Sequence, residues 1–149
     1  MIEKEHNNGI KTERRNKGAE SRRVVGLMAG AIGGMLYLII GLTNIRGSLN
    51  YSIPSYTWIN GITTSSAGVI SIVGVLVGTR NVKTGGILNL VSIPTAFVIG
   101  FVLLSTGDYM YSIYNIIPFA MGLLYPLPLP HSFHVISGGI LCLTGSDIR

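Results

Sequence analysis

The sequence predicts an all-α, polytopic membrane protein: a four-transmembrane-helix bundle with a proline-broken fourth span. Three observations carry that expectation. Charged residues make up 11% of the 149-residue chain, against about 25% in a typical soluble domain. Between Val24 and Leu104 the only charged residues are Arg46, Arg80 and Lys83. The apolar stretches between them approach the roughly 20 residues that a helix needs to cross about 30 Å of hydrocarbon.

Residues 1–23 come first and are unlike the rest. They hold seven of the eleven Lys and Arg residues, four Glu, and few apolar side chains. Such a segment buries too little surface to offset its chain entropy, so it is expected to be a disordered basic cytoplasmic tail. The transmembrane domain is then 24–149. Span 1 covers 24–43. It is 20 residues long, longer than the roughly 7–15 of a signal-peptide core, and is read as a retained helix. Span 2 covers about 59–79 and span 3 about 86–104. Pro94 is expected to kink span 3 without ending it, because neighbouring helices can cover the freed carbonyl.

The last third turns on "YPLPLPH", residues 125–131. Proline lacks the amide N–H and clashes with the preceding turn, so Pro126, Pro128 and Pro130 exclude α-helix there and favour polyproline II. A fourth span over 126–145 combines a few extended residues with a helix that begins at Pro130, where proline is tolerated. Residues 109–125 then lie in the interface or form a re-entrant half-helix. The alternative is a helical hairpin, 109–125 down and 131–147 up, giving five spans. Its cytoplasmic turn would lack Lys and Arg, which favours the four-span reading.

Orientation follows from the cations. Seven lie in the tail and two in the 80–84 link, against Arg46 alone in the link between spans 1 and 2. The positive-inside rule puts the N-terminus and the 80–84 turn in the cytoplasm of a multi-pass cell-membrane protein, with Arg22, Arg23, Arg80 and Lys83 as topology anchors. The C-terminus is then cytoplasmic too. Tyr51, Tyr56, Trp58, Tyr109, Tyr111 and Tyr114 fall near the expected outer interface, which favours amphipathic rings.

Gly26, Gly30 and Gly34 recur every four residues in span 1, and Gly74 and Gly78 form a pair in span 2. Small residues at that spacing let helices approach closely, either between subunits or within one. "GGML" at 33–36 and "GGIL" at 85–88 and 138–141 hint at a repeat but fall at different depths. Thr63, Thr64, Ser66 and Ser71, with Asn89 of span 3, form a possible polar path or a set of interhelical hydrogen bonds; Ser65 and Ser92 add to the same group. His131 and His134 supply too few ligands for zinc, so no metal and no cofactor are expected. Cys142, the only cysteine, rules out an internal disulfide and reads as a packed thiol, with palmitoylation as its alternative. Asn50-Tyr51-Ser52 fits a glycosylation acceptor.

No Asp, Glu, Lys or Arg lies inside an expected span. Ion-coupled transport and voltage sensing need such residues at depth, and intramembrane hydrolysis needs a base pair or metal that is not evident. The chain is therefore expected to be no enzyme and to bind no nucleic acid. Its expected partners are membrane lipid and itself or other membrane subunits. It would act through helix packing as a homo-oligomer or accessory subunit; the alternative is a channel or facilitator for a small neutral solute. With its basic turn in "GVLVGTRNVKTGGILNL" and its final "ISGGILCL", the chain resembles the uncharacterised small four-helix membrane proteins of archaea and bacteria. That resemblance implies a fold and no activity.

Overall fold

The computed structural model describes residues 2–50, 56–106 and 130–146. They form α1 (Ile2–Asn50), α2 (Tyr56–Arg80), α3 (Val82–Thr106) and α4 (Pro130–Ser146). All the described residues are helical except Asn81. Segment 109–125, Pro126, Pro128 and the aromatic residues Tyr51, Tyr109, Tyr111 and Tyr114 lie outside them.

The largest departure from expectation is α1. The sequence predicts disorder up to Arg23, whereas helix runs from Ile2 without a break. Extending a helix that already exists fixes one residue per hydrogen bond, while starting a new one is costly, and span 1 supplies the nucleus. Local bonds support the extension: Lys17 Nζ lies 2.8 Å from a Glu13 carboxylate oxygen, and Arg22 Nε donates to Gly18 O at 3.2 Å. Ala19 is buried, because the last turn of α4 covers it: a Cβ added at Gly145 would meet Ala19 O at 3.0 Å.

The 80–84 link also contracts, to the single residue Asn81. Its amide N–H still bonds back to Val77 O at 2.8 Å, and its carbonyl accepts from Gly85 N at 3.0 Å. Its side-chain Oδ1 accepts from Thr84 N at 3.2 Å. That last contact is an N-cap, satisfying a backbone donor that the first turn of α3 leaves orphaned. α3 continues through Pro94, which faces outward.

α1 packs on α2 and α4, and α3 packs on the same two helices, so the four form a ring in the order α1, α2, α3, α4. Neighbours are antiparallel. Along α1 and α4, Gly26 lies against Cys142, Gly33 against Val135 and Tyr37 against Ser132, in reverse order. Gly34–Gly68 and Gly41–Gly61 give α1 and α2 the same sense. A five-span hairpin would run α4 parallel to α1; the observed register runs it back, which accords with the four-span path. Arg23, which reaches Thr79 just before Asn81, and Gly145 mark one end of the bundle, its basal end.

Tyr37, Ala67, Ala96 and Val135, one from each helix, form the main apolar cluster. Ile59 and Leu104 form a smaller one near the other end.

Candidate functional site

The glycines expected to carry helix packing all face neighbours within the chain. A Cβ at Gly26 would meet Cys142 N and Gly138 O, each at 2.9 Å; at Gly34, Ile72 Cγ1 at 3.0 Å; at Gly74, Asn89 Oδ1 at 2.9 Å; and at Gly78, Leu27 Cδ2 at 2.5 Å. Gly30 meets Asn89.

The paired glycines have a shared logic that the sequence reading missed. Gly33 faces α4 through Val135 and Gly34 faces α2 through Ile72. Gly85 faces α2 through Gly78, and Gly86 faces α4 through Gly139 and Cys142. Gly138 faces α1 through Gly30, and Gly139 faces α3 through Leu90. Successive residues on a helix point about 100° apart. A helix at the corner of a four-membered ring has its two neighbours about a right angle apart. A Gly-Gly step therefore opens both seams of a corner helix at one level. The three doublets that looked like a repeat are corner marks, on α1, α3 and α4.

The hydroxyl-rich α2 divides into two kinds of side chain. Thr63 Oγ1 donates to Ile59 O at 2.8 Å, Thr64 Oγ1 to Asn60 O at 2.7 Å and Ser66 Oγ to Thr63 O at 2.7 Å. All three are satisfied by their own helix. Ser71 is different. Its Oγ lies 3.1 Å from Gly30 O of α1 and 2.9 Å from Asn89 Oδ1 of α3, so it links three helices. Ser71 and Asn89 are fully buried.

Ser71 has one hydroxyl proton for these two acceptors, and Asn89 Nδ2 has no partner. With the amide turned over, Asn89 would donate to Ser71 and Ser71 to Gly30 O. Either way one end of the amide stays unpaired in the bundle interior. Ser65 Oγ, pressed against the notch at Gly41, is the other unpaired buried group among the described residues.

A second junction lies nearer the far end of α4. Tyr37 OH and Ser132 Oγ are 2.6 Å apart, and the His131 ring stands edge-on to Tyr37 with centroids 4.6 Å apart. All three are buried. The His134 ring stands edge-on to Phe133, with centroids 6.2 Å apart. Among the described residues no group of three potential metal ligands exists. Cys142 is fully buried, which leaves no thiol exposed for acylation.

At the basal end the four expected anchors gather from three helices. Arg23 Nη2 donates to Thr79 O at 2.8 Å, satisfying one of the carbonyls that the last turn of α2 leaves open. Arg80 ends α2 and Lys83 lies in the first turn of α3; both are exposed. The antiparallel ring brings the carboxyl-terminal, partly negative ends of α2 and α4 to this end, where cations are favoured.

These features define a class. The chain is an all-helical bundle in which three helices, within Arg15–Leu49, Thr57–Arg80 and Val82–Ser105, are long and apolar enough to cross a membrane. α4, with 17 residues, spans about 25 Å at 1.5 Å per residue. Compared with protein-family models, curated proteins and solved structures, the chain finds no match.

Proposed function

We propose that the chain is a four-pass cell-membrane protein with both termini in the cytoplasm, and that it works by helix packing. It is a rigid unit that associates with a second copy or serves as an accessory subunit of a membrane complex. One observation carries this reading: the small and polar side chains lie inside the bundle, and the outward faces are large and apolar. Met28, Met35, Ile39 and Leu42 of α1 are each about 60% exposed. The glycine strips are occupied within the chain, so association falls to these outward faces.

The packing reading is favoured over a facilitator by three of the five residues of the possible polar path. Thr63, Ser71 and Asn89 have no surface open to a water-sized sphere, and side chains lining a wet path would have some. Catalysis is not part of the proposal. Light scattering of the protein in mild detergent, with mass spectrometry of what copurifies, tests the reading. A strictly monomeric protein that brings nothing with it would overturn it.

A further inference from the structure

We infer that the basal end is a binding surface for the phosphate headgroups of anionic phospholipids, centred on Arg80 and Lys83. The turn holds these two cations on a fixed frame. Asn81 is bonded at its amide, its carbonyl and its side chain, to Val77, Gly85 and Thr84. Neither Arg80 nor Lys83 has an ion-pair partner among the described residues.

Each cation also stands one turn from a large aliphatic side chain on its own helix face. Leu76, 64% exposed, lies four residues before Arg80, and Ile87, 44% exposed, lies four residues after Lys83. Residues four apart on a helix share a face. A charged group at the end of the bundle with aliphatic surface just above it matches a phospholipid, with phosphate at the rim and acyl chain along the helix. Arg80 offers a planar fork suited to phosphate oxygens, and Lys83 a point charge. Arg22 of α1 adds a third exposed cation at this end. Of the described carboxylates there, Glu13 is already paired with Lys17, leaving Glu20.

The test uses the full-length protein purified in a neutral detergent. Its melting temperature is followed while phosphatidylglycerol, phosphatidylcholine or inorganic phosphate is added. Phosphatidylglycerol is expected to raise it in a saturable way and the other two are not. The double variant Arg80→Gln/Lys83→Gln is expected to bind phosphatidylglycerol roughly 30-fold more weakly, at about fivefold for each juxtamembrane cation. Arg15→Gln, on the α1 extension, should stay within about twofold. Equal stabilisation by phosphatidylcholine or by free phosphate, or an equal loss in Arg15→Gln, would overturn the inference. If the double variant fails to fold, salt decides on the wild type. The difference between the two lipids has to shrink as salt screens the exposed charges, and a difference that salt does not change overturns it as well.

Discussion

The side-chain amide of Asn89 on α3 occupies the space that Gly30 on α1 leaves empty: a Cβ added at Gly30 would come within 2.5 Å of Asn89 Nδ2. Gly74 of α2 leaves the matching space on the other side, 2.9 Å from Asn89 Oδ1. The polar centre of the bundle and its glycine seams are thus one construction, and they fail together.

Gly30→Ala should therefore destabilise the protein by about 1–3 kcal/mol, the usual cost of overpacking. Asn89→Ala should remove most of that penalty when combined with it, although alone it leaves a hole and Ser71 with only Gly30 O as a partner. Thermal unfolding of the four species in detergent forms a double-mutant cycle. A coupling below about 0.5 kcal/mol would mean that the two residues do not share this space. Met28→Ala, on the outward face, serves as the control.

Gly26→Cys should form a disulfide with Cys142. The Gly26 Cβ direction ends 2.9 Å from Cys142 Sγ, near the roughly 3 Å between one Cβ and the other sulfur that follows from disulfide geometry. Nearby backbone at Gly138 O must yield slightly to admit it. Mild oxidation should therefore give an intrachain crosslink, read as a mass loss of about two hydrogens and a mobility shift reversed by reductant. A five-span chain with α4 parallel to α1 would not give it.

In the wild type, Cys142 should resist maleimide in the folded protein and react once it is unfolded. Full burial against Gly26 is the cause. Rapid labelling in mild detergent would show that the α1–α4 seam opens.

Orientation is checked at Ser21. With Cys142→Ser in the background, Ser21→Cys should be shielded from a membrane-impermeant thiol reagent in intact cells. Changing Arg22 and Arg23 to Glu, with Lys17 neutralised, should give a mixed population of orientations. Removing residues 1–16 should leave orientation unchanged. Labelling of Ser21→Cys with every basic residue in place would reverse the assignment of all spans.

Tyr37→Phe removes the 2.6 Å contact to Ser132. The expected loss is about 0.6 kcal/mol, the average for such bonds inside membrane bundles, and a fall of several kcal/mol would point to a wider network there.

The existence and position of α2 and α3 were legible because uncharged apolar runs of about 20 residues leave few options besides a long helix. α2 and α3 extend only one to four residues beyond the expected spans at each end. The individual partnerships were not legible. Gly26, Gly30 and Gly34 announce close packing, but only the register between helices says that Gly30 meets Asn89 while Gly34 meets Ser71. A pairing of Asn89 with α2 was within reach of the sequence, since both carry polar groups at depth. The contacts of Arg23 with Thr79 and of Tyr37 with Ser132 join residues 56 and 95 positions apart, and no local signal marks them. The helical run of α1 back to Ile2 does not follow from the composition of residues 1–23, because its template is span 1, the helix that comes after them. The Gly-Gly doublets could have been read directly: an angular step of about 100° already describes a corner.

Asn81, as the whole connection between two helices of 25 residues each, has a consequence for biogenesis. In the proposed four-pass protein, a link that short leaves no slack for α2 to settle in the bilayer while α3 remains outside it. The two must enter as a single hairpin, already zipped from Gly78 and Gly85 at its tip. Contacts so close in sequence carry little loop-closure cost, so this hairpin should form first. α1 then closes one side of it, and α4, arriving last from the ribosome, completes the ring.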